Sequence, residues 1–345
     1  MPIKLTDGPG RPLPGGVGPL DPALGPIRVE ADHYRVALNT EGYVSGVAGG
    51  SFVDRKTGAR DLGYGLCIAD FLLEPDEPRG PIDKNQYDYG PGNPHHGAIA
   101  KRYVEGPQIC TQAGRLAPRV GVNEDFAVVR FQYRWNVGYG KSKKVGSMWE
   151  QTLIFPAGSR YFLAADRVTT VAESPALFMR MDMPGHIKHR DGMGFDHVYL
   201  SYDDPPTIPS TEFAADFPPE AHHLYRRGVD PRPERLIRGY QVDLGPGREP
   251  GPWLAGMTLN VDDVYQAWCH QRGYVCMIQE FGGRPTRPGD TFGACHLVGW
   301  FDDTDQMAAA FDRHRGCSGL ALDGPDDRPT GYRLLKAGEL TAVSM

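Results

Sequence analysis

Apolar residues recur at every second position in a series of short segments separated by Gly, Pro and Asp. Segment 126–137 shows it most cleanly. Ala127, Val129, Phe131, Tyr133 and Trp135 fall on one face, and Arg130, Gln132 and Arg134 on the other. A period of two predicts a strand with one buried face. The same reading predicts strands over 27–38, 65–73, 147–155, 161–171, 177–183, 198–202, 236–244, 274–281 and 292–301. In 177–183 the residues Leu177, Met179, Met181 and Met183 face one way, and Phe178, Arg180 and Asp182 the other. Two segments fit a helical period instead. In 262–271 Val264 and Trp268 lie one turn apart before Gly273, and in 304–314 Met307 and Phe311 do so before Gly316. Ten or more strands with two short helices predict an all-β fold, a large antiparallel sandwich.

Composition narrows this. The 345 residues include 44 Gly and 31 Pro, which excludes a helical bundle or coiled coil, because both residues break helices. With 40% of residues hydrophobic, the chain still has the apolar content of a packed core. The Pro/Gly stretch 6–26 reads as an irregular surface arm, so 1–26 is set apart from one β domain over 27–345. A net charge of −6 with no basic stripe argues against a nucleic-acid partner. No run of 18 apolar residues predicts a membrane span. Residues 1–5 carry no apolar signal core, so the expectation is a cytoplasmic protein, or an exported one whose signal is absent from this sequence. The six cysteines are widely spaced without a CxxC pair and read as buried thiols.

Three long inter-strand segments, 74–106, 184–197 and 203–234, carry His95, His96, His186, His189, His197, His222 and His223, along with Tyr87, Tyr89, Tyr103 and Tyr225. Such loops are candidates for a binding face. A Pro-His-His-Gly turn exposes His95 and His96, and Lys101, Arg102 and Tyr103 follow. Imidazole exchanges protons near neutral pH, which suits it to acid–base work. The strand over 177–183 delivers Arg180 and Asp182 to a polar face just before His186 and His189. Glu280 ends an apolar strand face shared with Tyr274, Cys276 and Ile278, where partial desolvation suits a carboxyl to act as base or acid. The competing reading pairs Glu280 with Arg284 in a plain ion pair. His186-x-x-His189 with His197, or His222 with His223, has nitrogen ligands for a metal but not the helical spacing that aligns two histidines. No metal and no cofactor is therefore expected. The pairs Asp203-Asp204, Asp262-Asp263 and Asp302-Asp303 read as turn and cap residues. No nucleophile elbow, P-loop or dinucleotide fingerprint follows a strand.

The stretches HHGAIAKR and QEFGGRPTRPGDTF, with the segment around His186 between them, resemble the galactose mutarotase-like superfamily. His96 to His186 spans 90 residues and His186 to Glu280 spans 94. The resemblance implies a β-supersandwich with a sugar site on a concave face. It implies Glu280 as base, His186 as acid, and His96 and Arg102 against the sugar, so that the expected catalytic set is Glu280, His186 and His96. The chain has no Asn-x-x-Gly-Arg segment near its start, and its long loops are rich in Tyr, Arg and Lys. These loops point to a substrate larger than a monosaccharide, and the expected function is cleavage of a glycosidic bond in an oligo- or polysaccharide. Elimination from a uronate needs a His or Tyr base, an Arg or Lys against the carboxylate, and an acid. Hydrolysis needs two carboxylates, such as Glu280 with Glu150 or Asp182. The loop composition tilts the reading toward a lyase. Expected substrate contacts are Lys101, Arg102, Tyr103, Trp149, Glu150, Arg180, Asp182, His189 and Arg284, with Tyr87 and Trp268 also available for stacking. An aldose epimerase acting on a free sugar and a non-catalytic carbohydrate-binding module are the alternatives.

Overall fold

The structure is a computed structural model. It describes residues 3–7, 16–19, 26–40, 46–76, 97, 99–109, 114, 116–139, 144–189, 194–215, 223–271, 274–324 and 329–340. Two large antiparallel sheets dominate it. The ten-stranded sheet runs, edge to edge, Thr207–Pro209, Phe195–Leu200, Ile237–Val242, Trp253–Thr258, Thr291–Phe301, Tyr161–Thr169, Met148–Pro156, Phe126–Arg134, Arg119–Val122 and Gly16–Pro19. The seven-stranded sheet runs Val137–Gly138, Lys101–Gly106, Ile68–Pro75, Ser174–Lys188, Tyr274–Thr286, Val264–Gln271 and Tyr225–Arg226. The all-β sandwich expected from the alternation is present.

The core lies between these sheets. Ala127, Val129, Phe131 and Trp135 from one, and Leu177, Met179, Met181 and Met183 from the other, belong to a single buried cluster, as their alternation requires. Phe178 falls on the opposite face of its strand in a separate small cluster with Phe71, Leu73 and Tyr103. The outer face of the seven-stranded sheet is thus partly apolar and partly polar, and the candidate site is built there.

The helix over 304–314 forms as Thr304–His314. The Asp303 side chain caps it by accepting from the Gln306 N–H, and Met307, Ala310 and Phe311 face the ten-stranded sheet. The other expected helix does not form. Residues Val261–Asp263 make one 3-10 turn, and Val264–Gln271 is a strand paired along Tyr274–Thr286. A spacing of four is even, so it satisfies period two as well as a helical turn. The long apolar strand alongside decides between them. The stretch read as an irregular arm also differs, since Gly16–Pro19 pairs with Arg119–Val122 as an edge strand.

Candidate active site

The outer face of the seven-stranded sheet collects ionisable side chains from five adjacent strands. On Tyr274–Thr286, alternation sends Met277, Gln279 and Phe281 inward and Cys276, Ile278 and Glu280 outward. Register then sets the neighbours of Glu280. Arg180 stands opposite it on one side and Gln266 on the other. Arg180 donates to Glu280 Oε1 at 3.1 Å and Gln266 to Oε2 at 2.5 Å. Lys101 reaches across two intervening strands and donates to Oε1 at 2.6 Å. The Lys101 ammonium also lies 4.5 Å from the Trp268 ring centre, and the Arg180 guanidinium 5.3 Å from it. Trp268 and Phe178 wall the cluster with π faces that favour cations. Lys101 and Glu280 are wholly buried. Burial pushes the Lys101 ammonium down to about 7, against the opposing pull of Glu280 and with the help of Arg180.

A bulge builds the second part of the site. Asp182 pairs with Ile278 and His186 with Cys276, so four residues of one strand span two rungs of its neighbour. Regular pleating would hold residues four apart about 13 Å from each other, out of contact. The bulge lets His186 Nε2 donate to Asp182 Oδ2 at 2.7 Å. Gly185 permits it: its φ is +99°, and a Cβ there would sit 1.8 Å from the Gly65 carbonyl oxygen. Burial pulls the His186 pKa down, but the charge and hydrogen bond of Asp182, with Asp70 behind, raise it overall above 6.5. Asp70 is itself raised to about 7, first by burial and then by Asp182. Among the described residues one oxygen of each carboxyl, Asp70 Oδ1 and Asp182 Oδ1, has no hydrogen-bond partner.

His186 remains reachable, with 19% of its side chain exposed. Tyr64 stands edge-on to it at 5.9 Å and Tyr274 lies against it at 5.2 Å. Lys188, two residues on and on the same face, holds its ammonium 4.1 Å from the Tyr64 ring centre. With Nε2–H given to Asp182, the neutral imidazole presents Nδ1 as a proton acceptor. The arrangement can therefore move a proton at Nδ1, with a phenol and an ammonium beside it.

The structure brings together Glu280, Lys101, Arg180, Asp182 and His186 from the expected set. Tyr103 packs at the margin, 4.4 Å from Phe71 and 5.3 Å from Tyr139. Five residues lie elsewhere. Arg102 alternates away from Lys101 and pairs with Glu74 and Asp76. Trp149 is buried in the core and donates to Asp166 Oδ1 at 2.8 Å, so it offers no face for stacking. Glu150 projects from the ten-stranded sheet and accepts from Gln132; it cannot flank a bond with Glu280. His189 packs edge-on against Phe195. Arg284 donates to the Asp262 carbonyl at 3.3 Å and not to Glu280. His95, His96, Tyr87, Tyr89 and His222 lie outside the described residues. His186, expected in a loop, sits on the strand Ser174–Lys188. Asp70, Gln266, Tyr64 and Lys188 were not expected. Asp70 had a signal, a lone carboxylate inside the apolar run 65–73. Gln266 was hidden by the helical reading of its segment. Among the described residues no group of three or more His, Cys, Asp or Glu is set to hold a metal ion.

No protein-family model matches the chain. No curated protein matches it in sequence. Among solved structures it is similar to a galactose mutarotase-like protein from Lactobacillus casei, with a TM-score of 0.42 and 11% identity over 80% of this chain and 100% of that one. It is also similar to a candidate aldose 1-epimerase from Klebsiella pneumoniae, with a TM-score of 0.40 and 10% identity over 84% and 82% of the two chains. A GH36 alpha-galactosidase from Geobacillus stearothermophilus matches with a TM-score of 0.40 and 10% identity over 82% of this chain and 40% of that one.

Proposed function

We propose that this chain is a carbohydrate-active enzyme that cleaves a glycosidic bond of an acidic oligo- or polysaccharide by elimination, with His186 as its proton-transfer residue. One observation carries the reading: the Asp182–His186 hydrogen bond on a sheet face, with the imidazole part-exposed between Tyr64, Tyr274 and Lys188. In this mechanism Lys188 neutralises the uronate carboxylate, which acidifies the neighbouring C–H. His186 Nδ1 takes that proton. The C–H electron pair forms the new C=C bond as the C–O bond to the leaving sugar breaks. The Tyr64 hydroxyl protonates the departing oxygen, and the proton held by His186 returns through water to the phenolate, which restores both groups. Asp182 fixes the tautomer and supports the imidazolium as it forms. Glu280 has no exposed surface and is held by three donors, so it acts as a positioning residue that sets Lys101, Arg180 and the Trp268 wall. Hydrolysis is less well supported, because Glu150 belongs to the other sheet.

A second reading is epimerisation of a free sugar. It is favoured by Glu280 and His186 sharing one face of adjacent strands. One set of assays separates the readings. Elimination from uronate glycans gives an unsaturated product with new ultraviolet absorbance, which His186→Ala abolishes. New reducing ends without that absorbance mean hydrolysis. Optical rotation change of free sugars without cleavage means epimerisation. Binding with no turnover of any of these means a non-catalytic module.

A further inference from the structure

At the far end of the strand Tyr274–Thr286 the protein forms a cleft of about 450 Å³, lined among others by Arg227, Asp263, Arg284, Thr286, Asp290 and Phe292. Both guanidiniums converge on one backbone oxygen. Arg227 Nη1 donates to the Asp262 carbonyl at 2.6 Å and Arg284 Nη2 to the same oxygen at 3.3 Å. Arg227 Nη2 donates to the carbonyls of Gly282 and Gly283, at 2.8 and 3.1 Å. Among the described residues neither arginine has a carboxylate ion-pair partner within 4 Å. Two like charges are thus held close, each satisfied only by neutral oxygens. Asp263 completes the lining. It is 9% exposed, it accepts from Asn260 on Oδ1 at 3.1 Å, and among the described residues its Oδ2 has no hydrogen-bond partner. A buried acceptor without a donor is costly, and two guanidiniums held together repel, with the carboxylates of Asp262 and Asp263 offsetting that charge only at longer range. A single kind of ligand relieves both: one with an oxyanion for the arginines and a hydroxyl for Asp263. Inorganic sulfate has the first and lacks the second, and a neutral sugar has the second and lacks the first.

We infer that this cleft is a binding subsite for an acidic sugar unit, carboxylated or sulfated, its oxyanion on Arg227 and Arg284 and a ring hydroxyl on Asp263 Oδ2. The inference rests on the glycan reading above and deepens it. Arg284 lies seven rungs along the strand from Cys276, the partner of His186, a span of about 23 Å at the strand rise. Only an extended oligosaccharide bridges such a distance. At this end Arg227 lies over Tyr265 at 5.8 Å and Tyr265 stacks on Phe178 at 4.9 Å.

The test is isothermal titration of the full chain carrying His186→Ala, which does not consume substrate. The probes are hexagalacturonate, a sulfated oligosaccharide, maltohexaose and sodium sulfate. We expect binding of the carboxylated or the sulfated oligosaccharide that weakens about ten-fold on adding Arg284→Gln, as for loss of one charged hydrogen bond. Asp263→Asn weakens the same probe, sulfate alone binds far more weakly, and maltohexaose does not bind. Arg284 is exposed, so this variant tests binding without a folding defect. Equal affinity with and without Arg284→Gln overturns the subsite. So does binding of sulfate as tight as that of the sugar acid, or of maltohexaose as tight as either. Failure of the catalytic reading shows separately, as wild-type protein that turns over none of these sugars while Arg284-dependent binding persists.

Discussion

Asp182→Asn is the most informative single change at the site. It keeps the shape of the side chain and removes the negative charge 2.7 Å from His186 Nε2. A carboxylate at this distance raises the pKa of a histidine by about 1–3 units. Asp70 also raises His186 and stays in the variant, while burial continues to pull the other way. The expected shift is therefore downward, and Asp70 keeps it from being complete. Two measurements read it. The first is the NMR titration of the His186 ring, which needs no substrate. The second is the pH profile of kcat/KM on the glycan, whose rising limb marks deprotonation of the base and should move to lower pH in the variant. The maximum rate should also fall, because asparagine can offer its N–H to the ring and favour the wrong tautomer. Stability follows with a definite sign. A histidine whose folded pKa is raised contributes stability that is complete below its unfolded value of about 6.5 and is lost as pH rises through the raised value. The melting temperatures of wild type and variant should thus differ more at about pH 5.5 than at about pH 8.5. A His186 titration identical in both proteins would refute the coupling and, with it, the assignment of Asp182 as the residue that orients the base.

Other outcomes follow from the same geometry. Glu280→Gln leaves Lys101 and Arg180 buried without their counter-charge and should cost about 3–5 kcal/mol in chemical denaturation, and a loss under about 1 kcal/mol would mean that the two cations find other partners. Gly185→Ala forces a Cβ to within 1.8 Å of the Gly65 oxygen at φ +99°; it should cost about 1–3 kcal/mol in backbone strain alone and displace His186, so wild-type turnover in the alanine variant would show that the bulge does not set the imidazole. Asp303→Ala removes a helix cap far from the site and should lower stability by about 1 kcal/mol with no change in the His186 titration.

The strands were legible because burial on one face writes a period of two into the chain, and 126–137 or 177–183 can be read residue by residue. The sides taken by Arg180, Asp182 and Glu280 followed from that period alone. What was not legible depends on pairing. Pro184-Gly185 signals a break in the strand, but the sequence does not say whether the strand ends there or bulges and continues, and without the bulge Asp182 and His186 are too far apart to bond. The segment 262–271 had an even spacing that fits strand or helix, and only its neighbour Tyr274–Thr286 selects the strand that delivers Gln266 and Trp268 to Glu280. Lys101 and Arg102 were equal candidates as adjacent basic residues. Alternation sends one to Glu280 and the other to Glu74, and which is which depends on the phase of a strand whose apolar signal is weak.

That phase matters because stability does not explain the cluster it creates. Replacing a buried ionic group with apolar side chains of similar volume is often neutral or stabilising by about 1–4 kcal/mol, so a Lys–Glu–Arg cluster under a tryptophan is weak evidence of a structural need. The face around it is already apolar enough to pack, with Phe71, Leu73, Tyr103 and Phe178 on one side and Trp268, Cys276 and Ile278 on the other. An ammonium pushed to about 7 by burial, and a carboxyl at Asp70 raised to about 7, lie on the same sheet face as a part-exposed histidine raised above its ordinary value. Three groups of different kinds shifted from their ordinary values on one face fit the proton transfer proposed for His186 better than a purely structural role.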